Sequence, residues 1–100
     1  MEAAQKIKCV NNGWFVCCFQ LIGGGDFCVN GDLPMQKSEI FDLTELNFQE
    51  GAEVYLCITA VMGKRMVATE KLLFTGNDKT ATFEVQGTSL DFGVQLTQVK

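Results

Sequence analysis

Histidine is absent from the 100 residues, so every imidazole-based catalytic dyad and every His-ligated metal site is excluded. A nucleophile would need a lysine, a carboxylate or an α-amine as its base. The two serines, Ser38 and Ser89, do not lie in a G-x-S-x-G turn. Asp42 with Glu45, and Glu50 with Glu53, are close enough in sequence to suggest acid–base pairs. Such pairs work only when they face each other across a substrate-sized cleft, and a domain this small has little room for one. They read as solvated surface acids, and the expectation is a protein that is not an enzyme.

Three further patterns bear on ligands. Asp26, Asn30 and Asp32 share one short stretch of oxygen-bearing residues, so calcium is a possible cofactor there. The spacing departs from that of an EF-hand, and Asn and Asp also serve turns for conformational reasons. Gly23-Gly24-Gly25 follows an apolar run, yet Cys28 stands where a dinucleotide loop has its third glycine, so a connection between strands is the better reading. The five cysteines, Cys9, Cys17, Cys18, Cys28 and Cys57, cannot all pair within one chain and show no C-x-x-C spacing. Four of the five sit inside or beside apolar runs and read as reduced thiols acting as small hydrophobes; one disulfide plus leftover thiols in an exported protein is the alternative. No other cofactor is expected.

Aromatic recognition is the strongest remaining chemistry. Trp14 is the sole tryptophan and Tyr55 the sole tyrosine, and Trp14 follows Asn11-Asn12-Gly13. An apolar ring beside amide donors and acceptors is the composition of a sugar site. The same ring could instead fill a core. Asn11, Asn12, Trp14 and Tyr55 are therefore the candidate ligand-binding residues. The stretch Val10-Asn11-Asn12-Gly13-Trp14-Phe15-Val16 resembles opening strands in several small β-sandwich lectins and cytolysins.

The elements that must position these residues are strands. A chain of 100 residues, 47% hydrophobic and 20% charged, is one globular domain spanning residues 1–100. Its apolar periodicity is two. Leu90, Phe92, Val94 and Leu96 alternate with polar residues, and so do Ala81, Phe83 and Val85. Gly87-Thr88-Ser89 between the runs predicts a hairpin loop. Residues 53–61 are apolar on both faces, which predicts a central strand. A strand returns over 66–74, and residues 76–79 form a turn. Upstream, strands are expected at 6–10, 14–22 and 38–43, with a loop-rich stretch at 23–37 that holds only a short strand at 27–29. Residues 44–48 fit a strand extension or one helical turn. Seven or eight short strands give an all-β fold, a small antiparallel β-sandwich, immunoglobulin-like or jelly-roll-like, with a β-barrel as the second choice.

Charge narrows the partners. Eight basic and twelve acidic residues give a net charge of −4, and the basic residues are scattered, so no nucleic acid is expected. The overall charge also disfavours attraction to an anionic membrane. Interrupted by Asn11, Asn12 and Gln20, the N-terminal apolar stretch does not read as a conventional signal peptide. A cytoplasmic protein, or one exported by another route, is expected. The apolar second face of 14–22 and 53–61 must meet the 23–37 loop, a partner subunit or a ligand, which makes a homodimer plausible. Three functions follow: a small lectin-like protein binding carbohydrate, a protein-interaction domain that self-associates, and a membrane-active protein.

Overall fold

The computed structural model describes residues 1–23, 27–46, 48–61, 63–68 and 70–100, with the backbone alone at 27–29. Among the described residues the protein is all-β, with two mixed sheets, neither of them closed. Ten strands occur in chain order: β1 (Glu2–Ala4), β2 (Lys6–Asn11), β3 (Cys17–Gly23), β4 (Phe27–Leu33), β5 (Ser38–Asp42), β6 (Glu53–Ala60), β7 (Arg65–Val67), β8 (Leu72–Phe74), β9 (Thr80–Thr88) and β10 (Asp91–Val99). The first sheet has the order β1-β8-β6-β3-β4 with β7 also on β6, and the second has the order β10-β9-β2-β5. Inward residues of both sheets, among them Ile7, Cys9, Phe83 and Val85 facing Phe19, Leu21, Leu56 and Ile58, form one buried core. The rings of Phe19 and Phe41 meet across the layers at 4.6 Å. The arrangement is consistent with a small β-sandwich.

The expected pairing was wholly antiparallel, and the structure corrects this. β1 runs parallel to β8, and β2 runs parallel to β9. The physical reason is a shared corner, at which chain segments pass from one sheet to the other. The N-terminal ribbon crosses at Gln5, and the 72–88 ribbon crosses beside it. Gln5 N and Lys6 N both donate to Lys79 O at 3.0 Å, and Thr75 N donates to Ala4 O at 3.2 Å. Asp78, in the left-handed region at φ 62°, takes the Gln5 side chain on its amide and the Lys6 ammonium on its carboxylate.

Residues 53–61 are central as expected, with β6 flanked by β3, β7 and β8. The returning strand over 66–74 is interrupted. β7 and β8 lie along the same edge of β6 with their registers offset by two residues. The loop expected over most of 23–37 instead holds a seven-residue strand, β4, paired in the plane of the sheet with β3. This strand therefore lies beside β3 rather than over the second face of residues 14–22. Residues 43–46 form a turn rather than a strand extension, while Asn47 lies outside the described residues.

The β9–β10 hairpin closes at Ser89-Leu90, one step later than expected, because Asp91 pairs with Thr88. Leu90 was expected to point inward with Phe92 and Val94; at the hairpin tip it is 73% exposed. Gly87, at φ +120°, supplies the backbone conformation that this end of β9 needs, and a Cβ there would sit 2.4 Å from Asp91 O.

Candidate functional site

Residues 11–16 alternate between buried and exposed. Asn11, Gly13 and Phe15 face inward, while Asn12, Trp14 and Val16 face out. Backbone bonds hold this segment beside β9: Asn12 N donates to Val85 O at 2.8 Å, and Trp14 N donates to Gly87 O at 3.0 Å. Below it, the Phe15 ring packs against Phe92 at 4.9 Å. Trp14 is therefore presented by an anchored segment, and the residue is 74% exposed.

A polar row continues from Asn12 along the outer side of β9. Asn12 Nδ2 donates to Glu84 Oε1 at 2.8 Å, and Gln86 Nε2 donates to the same oxygen. These hydrogen bonds, Asn12's first, hold the Glu84 carboxyl below its ordinary range. Glu84 and Gln86 also line a groove of about 500 Å³ with Met66, Val67, Gly93 and Gln95. Gly93 has open space where a side chain would stand. On the other flank, Gln36 Nε2 donates to Gly13 O at 3.2 Å. An exposed indole, free amide edges and an ionised carboxylate thus lie along one anchored ribbon. Such groups can stack on an apolar face and hydrogen-bond to hydroxyls.

The other expected site residues fall elsewhere. Asn11 is fully buried, and its polar groups are committed within the protein. Nδ2 donates to Phe15 O at 2.9 Å and Leu33 O at 3.2 Å, while Oδ1 accepts from Gly13 N at 2.9 Å. It shapes the Trp14 segment rather than meeting a ligand. Tyr55 is half-buried on β6 opposite Ile22, whereas Trp14 precedes the Cys17 end of β3, which pairs with Ala60. Five residues of strand, roughly 17 Å, separate Tyr55 from that end, so the two aromatic residues do not share a site. Asp26, like Gly24 and Gly25, lies outside the described residues. Asn30 and Asp32 belong to β4 rather than to a loop, and Asp32 accepts a 3.5 Å bond from Cys18 Sγ. Among the described residues no group of three His, Cys, Asp or Glu is gathered as a metal site.

Cys9, Cys17, Cys18 and Cys57 are free thiols. Burial pushes the Cys9 thiol up to about 12 and the Cys17 thiol up to about 11, which keeps both protonated and unreactive. Cys18 is exposed, and its pKa is raised by desolvation of the thiolate and then by Asp32.

Sequence reasoning missed Glu84 and Gln86. Their alternation with Phe83 and Val85 marks them as outward-facing, but only the parallel β2–β9 pairing brings Asn12 to them. No known family model matches the chain, and no curated protein is significantly similar to it.

Proposed function

We propose that the protein is a non-enzymatic, lectin-like binding module, built as an immunoglobulin-like or jelly-roll-like sandwich, that takes carbohydrate at the Trp14 segment. The observation that carries this reading is the 74% exposure of Trp14 on a hydrogen-bonded ribbon next to Asn12. Burying an aromatic ring is a large gain that a core would normally claim, and here the ring is left in water beside polar groups. A sugar ring would stack on the indole, with Asn12, Glu84 and Gln86 bonding its hydroxyls.

The test is a glycan array followed by titration of Trp14 emission, which reports one site because the chain has one tryptophan. Trp14→Ala is expected to abolish binding, and Asn12→Ala or Glu84→Ala to weaken it about tenfold. An array on which the folded protein binds no glycan would overturn the reading.

A further inference from the structure

We infer that the free edge of β10 pairs with the same edge of a second copy, antiparallel about Val94, so that two four-stranded sheets join into one of eight strands. The other edge strands are guarded. β1 and β7 have three residues each and carry Glu2 and Arg65, β4 carries Gly31 and Asp32, and β5 carries Glu39 and Asp42. Charge, brevity and irregularity are the devices that keep sheet edges from joining. β10 is nine residues long, and its residues 92–99 include neither a charge nor a proline. Its one irregularity is the register shift between Leu96 and Gln98, which leaves residues 92–96 a regular run.

Backbone bonding fixes what that edge offers. β9 turns the carbonyls of Val85 and Gly87 to Asn12 and Trp14, so Glu84 and Gln86 are the residues that bond β10, at Gln95 and Gly93. The amides and carbonyls of Phe92, Val94 and Leu96 therefore point away from β9, to the side where this sheet has no further strand. There the edge opens on the groove that Gly93, Val94 and Gln95 line with Met66 and Val67. The three edge-turned residues are symmetric about Val94. A two-fold axis at Val94 sets Val94 against Val94 and Phe92 against Leu96, and satisfies both groups of all three residues in each copy.

The side chains agree with this register, and they make the second copy the occupant. Buried Phe92 and Val94 and half-buried Leu96 point to the core side and continue as one apolar row across the seam. On the outer face, Gly93 of one copy stands opposite Gln95 of the other. A Cβ at Gly93 would meet nothing within 4 Å, so the longer side chain has room. No like charges meet within the run: Asp91 lies beyond its end, and Glu84 lies one strand behind Gln95. The required partner strand has apolar residues at alternate positions, a glycine on the outer face and no charge over five residues, which is the description of β10 itself. A two-fold axis normal to the sheet also keeps both outer faces on one side, so the two Asn12–Glu84 rows point the same way.

The pairing does not rest on the carbohydrate reading, and its test uses no sugar, so either can fail alone. The experiment is sedimentation velocity from about 1 μM to about 1 mM, with amide hydrogen exchange read by NMR at both extremes. A reversible dimer is expected, weaker than one held by a standard interface because a single strand pair is a small contact. The amides of Phe92, Val94 and Leu96 should exchange more slowly at the higher concentration. Gly93→Lys/Gln95→Lys sets like charges opposite each other twice and should weaken the dimer about tenfold. Gly93→Glu/Gln95→Lys sets opposite charges at the same places and should dimerise at least as well as the parent. Both variants should keep the parent's urea midpoint at the lowest concentration. A monomer at every concentration, or equal dimerisation by the two double variants, would overturn the proposal. So would a dimer whose Val94 amide exchanges as fast as in the monomer, since the contact would then lie elsewhere.

Discussion

The side-chain amide of Asn11, at the end of β2, donates to the carbonyl of Leu33, at the end of β4, across 3.2 Å. The two residues belong to different sheets. One fully buried amide thus ties the layers together, and through Gly13 N and Phe15 O it also sets the path of the segment that displays Trp14. A buried amide is tolerated only when its donors and acceptor are satisfied, and these are.

Asn11→Ala is expected to cost about 3 kcal/mol, since it removes the amide that bonds Phe15 O and Leu33 O and the oxygen that accepts from Gly13 N. Asn11→Asp should cost more, because a carboxylate would face the Phe15 and Leu33 oxygens. Urea denaturation of the three proteins checks the order, and an aspartate variant as stable as the parent would refute the assigned bonds.

Gly13 allows close approach. A Cβ there would stand 2.5 Å from the Phe15 ring, so Gly13→Ala must displace the ring from Phe92. A loss of about 2 kcal/mol is expected, together with altered Trp14 emission in the folded state.

Burial of Cys9 makes stability fall in alkali. Its thiol stays protonated in the native state up to about 12, against an ordinary value of 9.0. Unfolding above pH 9 therefore releases a proton. The contribution is whole below pH 9 and is lost as pH rises towards 12, at up to about 1.4 kcal/mol per pH unit. Cys17, raised to about 11, acts in the same direction. Urea midpoints between pH 8 and 10.5 should drop more steeply for the parent than for Cys9→Ala.

Thiol labelling should divide the cysteines in the same way. In a Cys28→Ser background, a disulfide reagent should modify Cys18 in the native protein, while Cys9 and Cys17 react at the rate of unfolding. Mass spectrometry of the labelled peptides reads this directly. Fast modification of Cys9 would contradict its burial.

Where one face of a strand meets the core, the sequence was readable. Alternation identified β9 and β10, and the apolar character of both faces identified β6 as central. The far-reaching pairings were not readable. β1 is three residues long and forms only against β8, some seventy residues away. β4 has Gly31 and two outward polar residues in place of an apolar run, and the Phe19 ring fills the space over Gly31. Leu90 continued a perfect alternation, but turn closure at Ser89-Leu90 took precedence over its preference for the core. In the candidate site, Trp14 and Asn12 stood out as residue types, whereas the burial of Asn11 and the distance of Tyr55 depend on register.

The corner where both ribbons change sheets has a consequence for assembly. β2 lies between β9 and β5, so the second layer is complete only after the start of the chain has slotted between β5 and the much later β9, some seventy residues further on. Loop closure over such separations is slow. Until it happens, β9 and β5 each offer an unpaired edge to any passing strand. A peptide copying residues 2–11, added during refolding, should compete for that gap and hold the chain in a trapped complex.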